Sequence, residues 1–223
     1  MKRNLALSIV YVLTIIATVK TATAQNSTTV TDQEGNIYKV VKIGNQTWMA
    51  ENLKATKFND GTAIPLAYDK NTWNTSMTPA FCWYDNDTVY KNRYGALYNG
   101  YAVNTNKLCP SGWHVSTDAE WTTLTNYLGG KNTAGGKLKE TGTTSWKDPN
   151  FGATNEGGFT ALPGGTRFSN GLFFTKGTAG YWWTFNGSNA MNGWYWNVDF
   201  SNGAVNRYFH DSTNGFSVRC VKD

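Results

Sequence analysis

The sequence predicts an α+β domain, and three observations point there. Aromatic residues make up 15% of the 223-residue chain and glycines number 23, while charged residues are only 16%. Rings pack well on half-buried pleated surfaces and frequent glycine marks frequent turns, whereas the Ala, Glu, Lys and Leu of long surface helices are scarce. Helical spacing of apolar residues shows only near the middle of the chain, and short aromatic runs between glycine-rich turns fill the rest. Two short helices with small antiparallel sheets around them are the expected architecture. The ring content also argues against disorder, which needs few aromatics and high charge.

The elements follow in order. Lys2 and Arg3, the apolar run Leu5–Val19 and the small residues Ala22-Thr23-Ala24 form a secretory leader, residues 1–24, cleaved before Gln25. The run is 15 residues long, against the roughly 20 that a spanning helix needs; a signal anchor is the alternative. No cysteine near the cut offers a lipid site. The mature protein is expected to be secreted, in the periplasm, on the outer surface or outside the cell, without membrane insertion. Residues 25–31 read as a short disordered lead-in and 32–223 as one domain.

Ile37–Ile43 is rich in β-branched residues, Gly44-Asn45 is a hairpin turn and Gln46–Met49 runs back. Residues 55–80 read as irregular surface, and Phe81–Tyr84 as a short strand. Leu97, Tyr98, Tyr101 and Ala102 lie at helical spacing, with Gly100 weakening that helix and Cys109-Pro110 stopping it. Trp113–Val115 is extended. Thr117 with Glu120 three residues on forms a capping box for a helix carrying Trp121, Leu124 and Leu128, which Gly129-Gly130 closes. Beyond residue 130 no helical period is visible. Strands are expected at 158–163, 172–174, 181–185, 193–200, 204–209 and 216–222, with Ser201-Asn202-Gly203 as a hairpin turn. Alternation sets Trp194 and Trp196 on one face and Tyr195 on the other, and Phe216, Val218 and Cys220 together.

Several function classes lose support here. Losing Lys2, Arg3 and Lys20 takes the formal charge from +5 to +2, and the remaining cations are scattered, so nucleic acid is not an expected partner. His114 and His210 are the only histidines; neither has a ligand at zinc-site spacing, and His114 between Trp113 and Val115 reads as structural. Gly135-Gly136-Lys137 lacks the first glycine and the final Ser or Thr of a phosphate loop. There is no Gly-x-Ser-x-Gly elbow. A glycosidase would draw two carboxylates from Glu120, Glu140, Asp148, Glu156, Asp199 and Asp211, but spacing pairs none of them, and Glu120 already serves the cap. Calcium takes roughly six to eight oxygens, and no string supplies a dense set, so no cofactor is expected. Of three cysteines, Cys82 lies among aromatics and reads as a buried free thiol. Counting leaves Cys82–Cys109 and Cys82–Cys220 as alternatives to Cys109–Cys220.

Five segments are more specific: Tyr94–Tyr98, Leu108–Val115, Asp118–Trp121, Gly158–Gly165 and Gly215–Val221. They closely resemble the Fibrobacter succinogenes major paralogous domain over residues 32–223, with Gly100 standing where a bulky aromatic is expected. The resemblance implies a secreted or surface-attached bacterial protein of a family without a settled biochemical role. More distantly, the order of elements resembles the C-type-lectin-like fold shared with formylglycine-generating enzymes. That implies a Cys109–Cys220 disulfide and ligand contacts between about 140 and 195. The calcium-binding Glu-Pro-Asn, Gln-Pro-Asp and Trp-Asn-Asp strings of sugar-binding lectins are absent, as is a late catalytic cysteine pair.

The expected role is a non-enzymatic module that binds a glycan or a surface protein. Tyr and Trp beside Asn, Gly and Ser suit sugar platforms and adaptable contacts. Trp113, Trp121, Trp183 and Trp196 are assigned to the core. Trp146, Phe168, Phe173, Trp182 and Trp194, near turns, are the ring candidates for a ligand surface, with Asp148, Asn155 and Glu156 as polar candidates. A structural component of the cell surface and a polysaccharide hydrolase are the alternatives.

Overall fold

A computed structural model describes residues 28–185 and 191–223. The leader expected at 1–24 lies outside the described residues. The lead-in does not stay irregular to its end, because Thr29–Thr31 forms strand β1.

Three antiparallel sheets make the body. The first has the order β1-β2-β3-β13-β6, with β2 at Ile37–Ile43, β3 at Gln46–Met49, β6 at Trp113–Val115 and β13 at Cys220–Lys222. It inserts the closing strand between the first hairpin and the strand after Cys109. The second joins β4 (Phe81–Cys82), β5 (Leu97–Asn99), β12 (Gly215–Phe216), β7 (Thr166–Arg167) and β8 (Phe173–Phe174) in that order. The third is β9 (Ala179–Trp183), β10 (Asn192–Asp199) and β11 (Val205–Asp211), with β10 central.

The expected capping box is present. Thr117 accepts from the Glu120 backbone and Glu120 reaches back to Thr117, opening helix α4 over Asp118–Tyr127. Gly129 and Gly130 close it at φ of 97° and 91°, values that disfavour side chains with a Cβ.

Elsewhere the structure corrects the sequence reading. The segment 97–102 is not one helix. Leu97–Asn99 pairs with two strands, and the Asn99 side chain caps a four-residue helix, α3 (Gly100–Val103), which follows two other short helices, α1 (Lys70–Thr75) and α2 (Lys91–Tyr94). Helix α1 arises in the region expected to be irregular, because Asp69 accepts from the Asn71 and Thr72 amides. Gly100 is fitted rather than loose, since a Cβ there would lie 2.6 Å from Ser212 Oγ. Helix α5 (Ala134–Leu138) was hidden by its glycines, which sequence alone counts against a helix. A Cβ on Gly136 would strike the Gly152 carbonyl.

The strand expected at 158–163 is absent apart from one bridge, because side chains take its carbonyls. Arg219 takes those of Phe159 and Thr160 (2.6 and 3.0 Å), and Trp146 Nε1 takes that of Ala161 (3.0 Å). The last strand breaks into β12 and β13, which serve different sheets.

Cys109 and Cys220 form a disulfide 111 residues apart, and Cys82 is free and buried. Burial pushes the Cys82 thiol up to about 12, outweighing the nearby Arg167. Trp121 centres one core, with Trp48, Phe159, Trp182 and Trp196 rings all within 5.8 Å of it. Trp183 belongs to a second core with Tyr98, Phe216 and the disulfide, against which Trp113 is half-buried.

Three fully buried cations knot these layers without a carboxylate. Arg219 donates to Asn52 Oδ1 (2.7 Å) and to the Met49, Phe159 and Thr160 carbonyls, and stacks over Phe159. Arg167 donates to the Gly171, Ala67 and Tyr68 carbonyls between Trp73 and Phe173. Lys139 donates to the Phe151, Asp199 and Asn202 carbonyls at 2.8–2.9 Å beside Trp146. Burial draws the Lys139 ammonium down to about 8, against the smaller opposing pull of the Asp199 charge. Asn52 ties the first knot. Its oxygen accepts from Arg219 and from Trp182 Nε1, and its nitrogen donates to Tyr94 O and Ser217 Oγ.

Candidate functional site

Helix α4 ends beside the β10–β11 hairpin, leaving an open cleft of about 940 Å3 between them. Thr122, Thr125 and Asn126 line it from the helix, Lys131 and Asn132 from the glycine turn, and Asn206, Arg207 and Tyr208 from β11. Trp196, only 5% exposed, lies at its floor, stacked on Trp121 with planes 9° apart.

Local structure holds these groups in place. The register sets Trp196 against Arg207 and Trp194 against Phe209 across β10 and β11, so directly paired residues share one face. Asp118, the first helical residue of α4, accepts from Trp196 Nε1 (3.0 Å) and from Arg207 Nε (2.5 Å). The Arg207 guanidinium lies 3.4 Å from the Trp194 ring centroid. The Lys131 carbonyl accepts from the Val205 amide at 2.7 Å, fixing the turn to the edge strand.

The opposite face of the same sheet carries a second ring cluster. Tyr195 lies 5.9 Å from Tyr181 and 5.7 Å from Tyr208, and His210 stacks on Phe168, which meets Phe174 at 4.9 Å. Burial, then the neighbouring Tyr181 and Tyr208, push the Tyr195 hydroxyl up to about 12. His210 Nδ1 accepts from the Asp211 amide and lies 2.8 Å from Asn214 Nδ2.

The predicted site residues do not converge. Trp146 and Trp182, expected on the surface, are each 1% exposed. Their indole N–H groups are spent on Ala161 O and Asn52 Oδ1, which anchors both rings in the core. Phe173 is half-buried against Tyr84 and under Arg167. Asn155 is a turn residue whose side chain accepts from the Thr160 amide (2.8 Å). Glu156 is exposed and paired with Lys137 (2.9 Å), and Asp148 is exposed on the same loop region. Only Trp194, beside the cleft, and Phe168, on the opposite face, contribute to the ring clusters of the hairpin sheet.

The cleft residues Asn126, Lys131, Asn132, Asn206 and Arg207 were missed. Two signals could have found them: the amides and lysine flanking Gly129-Gly130, and the alternation that puts Arg207 on the Trp194 face of the hairpin.

His114 is structural, as expected. Its Nδ1 meets Asp223 (2.6 Å) and its Nε2 meets Glu120 (2.8 Å). Burial opposes its charge, but the two carboxylates outweigh burial and raise its pKa above the ordinary 6.5. No group of three or more His, Cys, Asp or Glu able to hold a metal occurs among the described residues.

The Fibrobacter succinogenes major domain model matches residues 41–222. The chain belongs to this family. No curated protein and no solved structure matches it. The motif segments of this Fibrobacter succinogenes major domain now have a physical meaning. Arg219 of the last motif is clasped by Phe159 and Thr160 of the fourth, and Asn52 links both to Tyr94 of the first. The motifs mark the knot that closes the fold, while the cleft is lined almost entirely by residues outside them.

Proposed function

We propose that this domain is an exported, non-enzymatic binding module that takes a glycan in the cleft between α4 and the β10–β11 hairpin. One observation carries the reading. Amides and hydroxyls line one concave surface, with Trp196 at its floor and Trp194 beside it. Such a surface offers a saccharide flat apolar contact and hydrogen bonds at once. It needs no cofactor and no calcium.

We read the finer architecture as C-type-lectin-like. The disulfide from the segment before β6 to the closing strand, and the long poorly regular stretch between α5 and β9, support that assignment. The basic, apolar and small-residue order of residues 1–24 supports export.

A glycan array followed by calorimetry on the leaderless protein tests the function. Binding should weaken about tenfold in Asn126→Ala and in Asn132→Ala, the scale of about 1.4 kcal/mol for a lost polar contact. Unchanged binding in the double variant, or turnover of a polysaccharide, counts against the reading. The carboxylates a hydrolase would use are largely occupied: Glu120 by His114, Glu140 by Arg93, Glu156 by Lys137, and Asp199 and Asp211 by neighbouring hydroxyls.

One observation favours assembly as a second reading. Strand β11 is an edge strand with Tyr208 and Phe209 about half exposed, and an open edge can pair with another copy. Sedimentation across concentration tests it; a persistent monomer rules it out.

A further inference from the structure

We infer that the ligand of this cleft is an anionic saccharide, one carrying carboxylate or sulfate groups. The inference rests on the cleft being a glycan site. Lys131 and Arg207 both line the cleft, and no Asp or Glu does. Lys131 is exposed, and its ammonium makes no hydrogen bond or ion pair among the described residues.

Arg207 is the better-built group. Trp194 supports its plane and Asp118 takes its Nε. That leaves both terminal Nη groups without a hydrogen bond among the described residues. A guanidinium held this way presents a fork that matches a carboxylate or sulfate and loses little freedom on binding. Asp118 offsets the charge of Arg207 through Nε, so Lys131 supplies the net positive charge of the cleft and Arg207 supplies the open fork. The other charged groups nearby are already matched, Lys137 by Glu156. The two cations come from the glycine turn and the edge strand, which the Val205 amide joins by donating to Lys131 O. A chain of charged sugars lying along the cleft would meet both, with Asn126 and Asn132 reaching its hydroxyls.

The test compares size-matched oligosaccharides by calorimetry: a neutral β-linked hexaose, an oligogalacturonate and a sulfated galactan fragment. The expected result is binding of an anionic probe at least about tenfold tighter than the neutral one. Lys131→Gln and Arg207→Gln should each erase about tenfold of that preference. Lys131→Gln keeps the backbone carbonyl that holds Val205, so it leaves the fold intact if Arg207→Gln does not. Neutral binding equal to anionic binding overturns the inference and leaves the cleft reading standing. Binding of no probe in any class, on an array that includes neutral glycans, sinks the cleft reading itself. Anionic preference that both variants retain places the ligand elsewhere and overturns the assignment to Lys131 and Arg207.

Discussion

Replacing Asn52 by Leu should cost more stability than any surface change in this protein. Asn52 is 4% exposed and uses its full hydrogen-bonding capacity. Leucine branches at the same carbon and is bulkier, so no cavity is created, but four partners are stranded: the Trp182 indole N–H, Tyr94 O, Ser217 Oγ and Arg219 Nε. A buried neutral hydrogen bond contributes about 1 kcal/mol and one to a charged group about 2 kcal/mol, which puts the loss near ~5 kcal/mol. That is a third or more of the roughly 5–15 kcal/mol available to an ordinary domain. Urea unfolding of the oxidised protein, residues 25–223, reads it as a lower midpoint at unchanged slope. Asn52→Asp is the companion variant. It keeps the oxygen that serves Arg219 and Trp182 and loses only the two donated bonds, so its loss should be about 2 kcal/mol. A Leu variant within ~1.5 kcal/mol of wild type, or an Asp variant as damaged as Leu, would refute the closed knot at Asn52.

Other outcomes follow from the same coordinates. Replacing Cys109 and Cys220 together by Ser should remove about 4–5 kcal/mol in the chain-entropy model, read by the same unfolding assay, because the bridge closes a 111-residue separation. Gly136→Ala, which gains about 1 kcal/mol in an exposed helix, should instead destabilise by about 1–3 kcal/mol, since the Gly152 carbonyl occupies the space; a higher melting temperature would contradict the close approach. His114 has a pKa raised above 6.5 by Asp223 and Glu120. Its stabilisation should be fully present below 6.5 and fade as pH rises through the raised value. Unfolding midpoints of wild type and His114→Gln should therefore converge toward alkaline pH, and parallel curves would count against the ion pairs.

Legibility differed sharply between backbone and side chains. The first hairpin, the capping box of α4 and the β10–β11 hairpin were readable because turn residues, cap residues and alternating rings act locally. The disulfide came through resemblance, since counting cysteines leaves three pairings. Helices α1 and α5 were missed because Asp69 and the Gly135-Gly136 pair act through contacts that propensity does not contain. Trp146 and Trp182 were misplaced for one reason: a ring near a turn looks exposed until its N–H is found satisfied inside. The cleft was invisible because its walls, α4 and β11, are about 80 residues apart in sequence and are joined by the Asp118–Arg207 pair and a shared core, neither of which local pattern contains.

The three caged cations carry a consequence for where this protein can work. Most buried positive charges lean on aspartate or glutamate, and they lose that support when an acidic medium protonates the carboxylate. Amide oxygens do not protonate in that range. Arg167, Arg219 and Lys139 would keep every acceptor as the surroundings turn sour, and shielding ions in brine would reach none of them. Their grip on the fold should persist through wide swings in acidity and ionic strength.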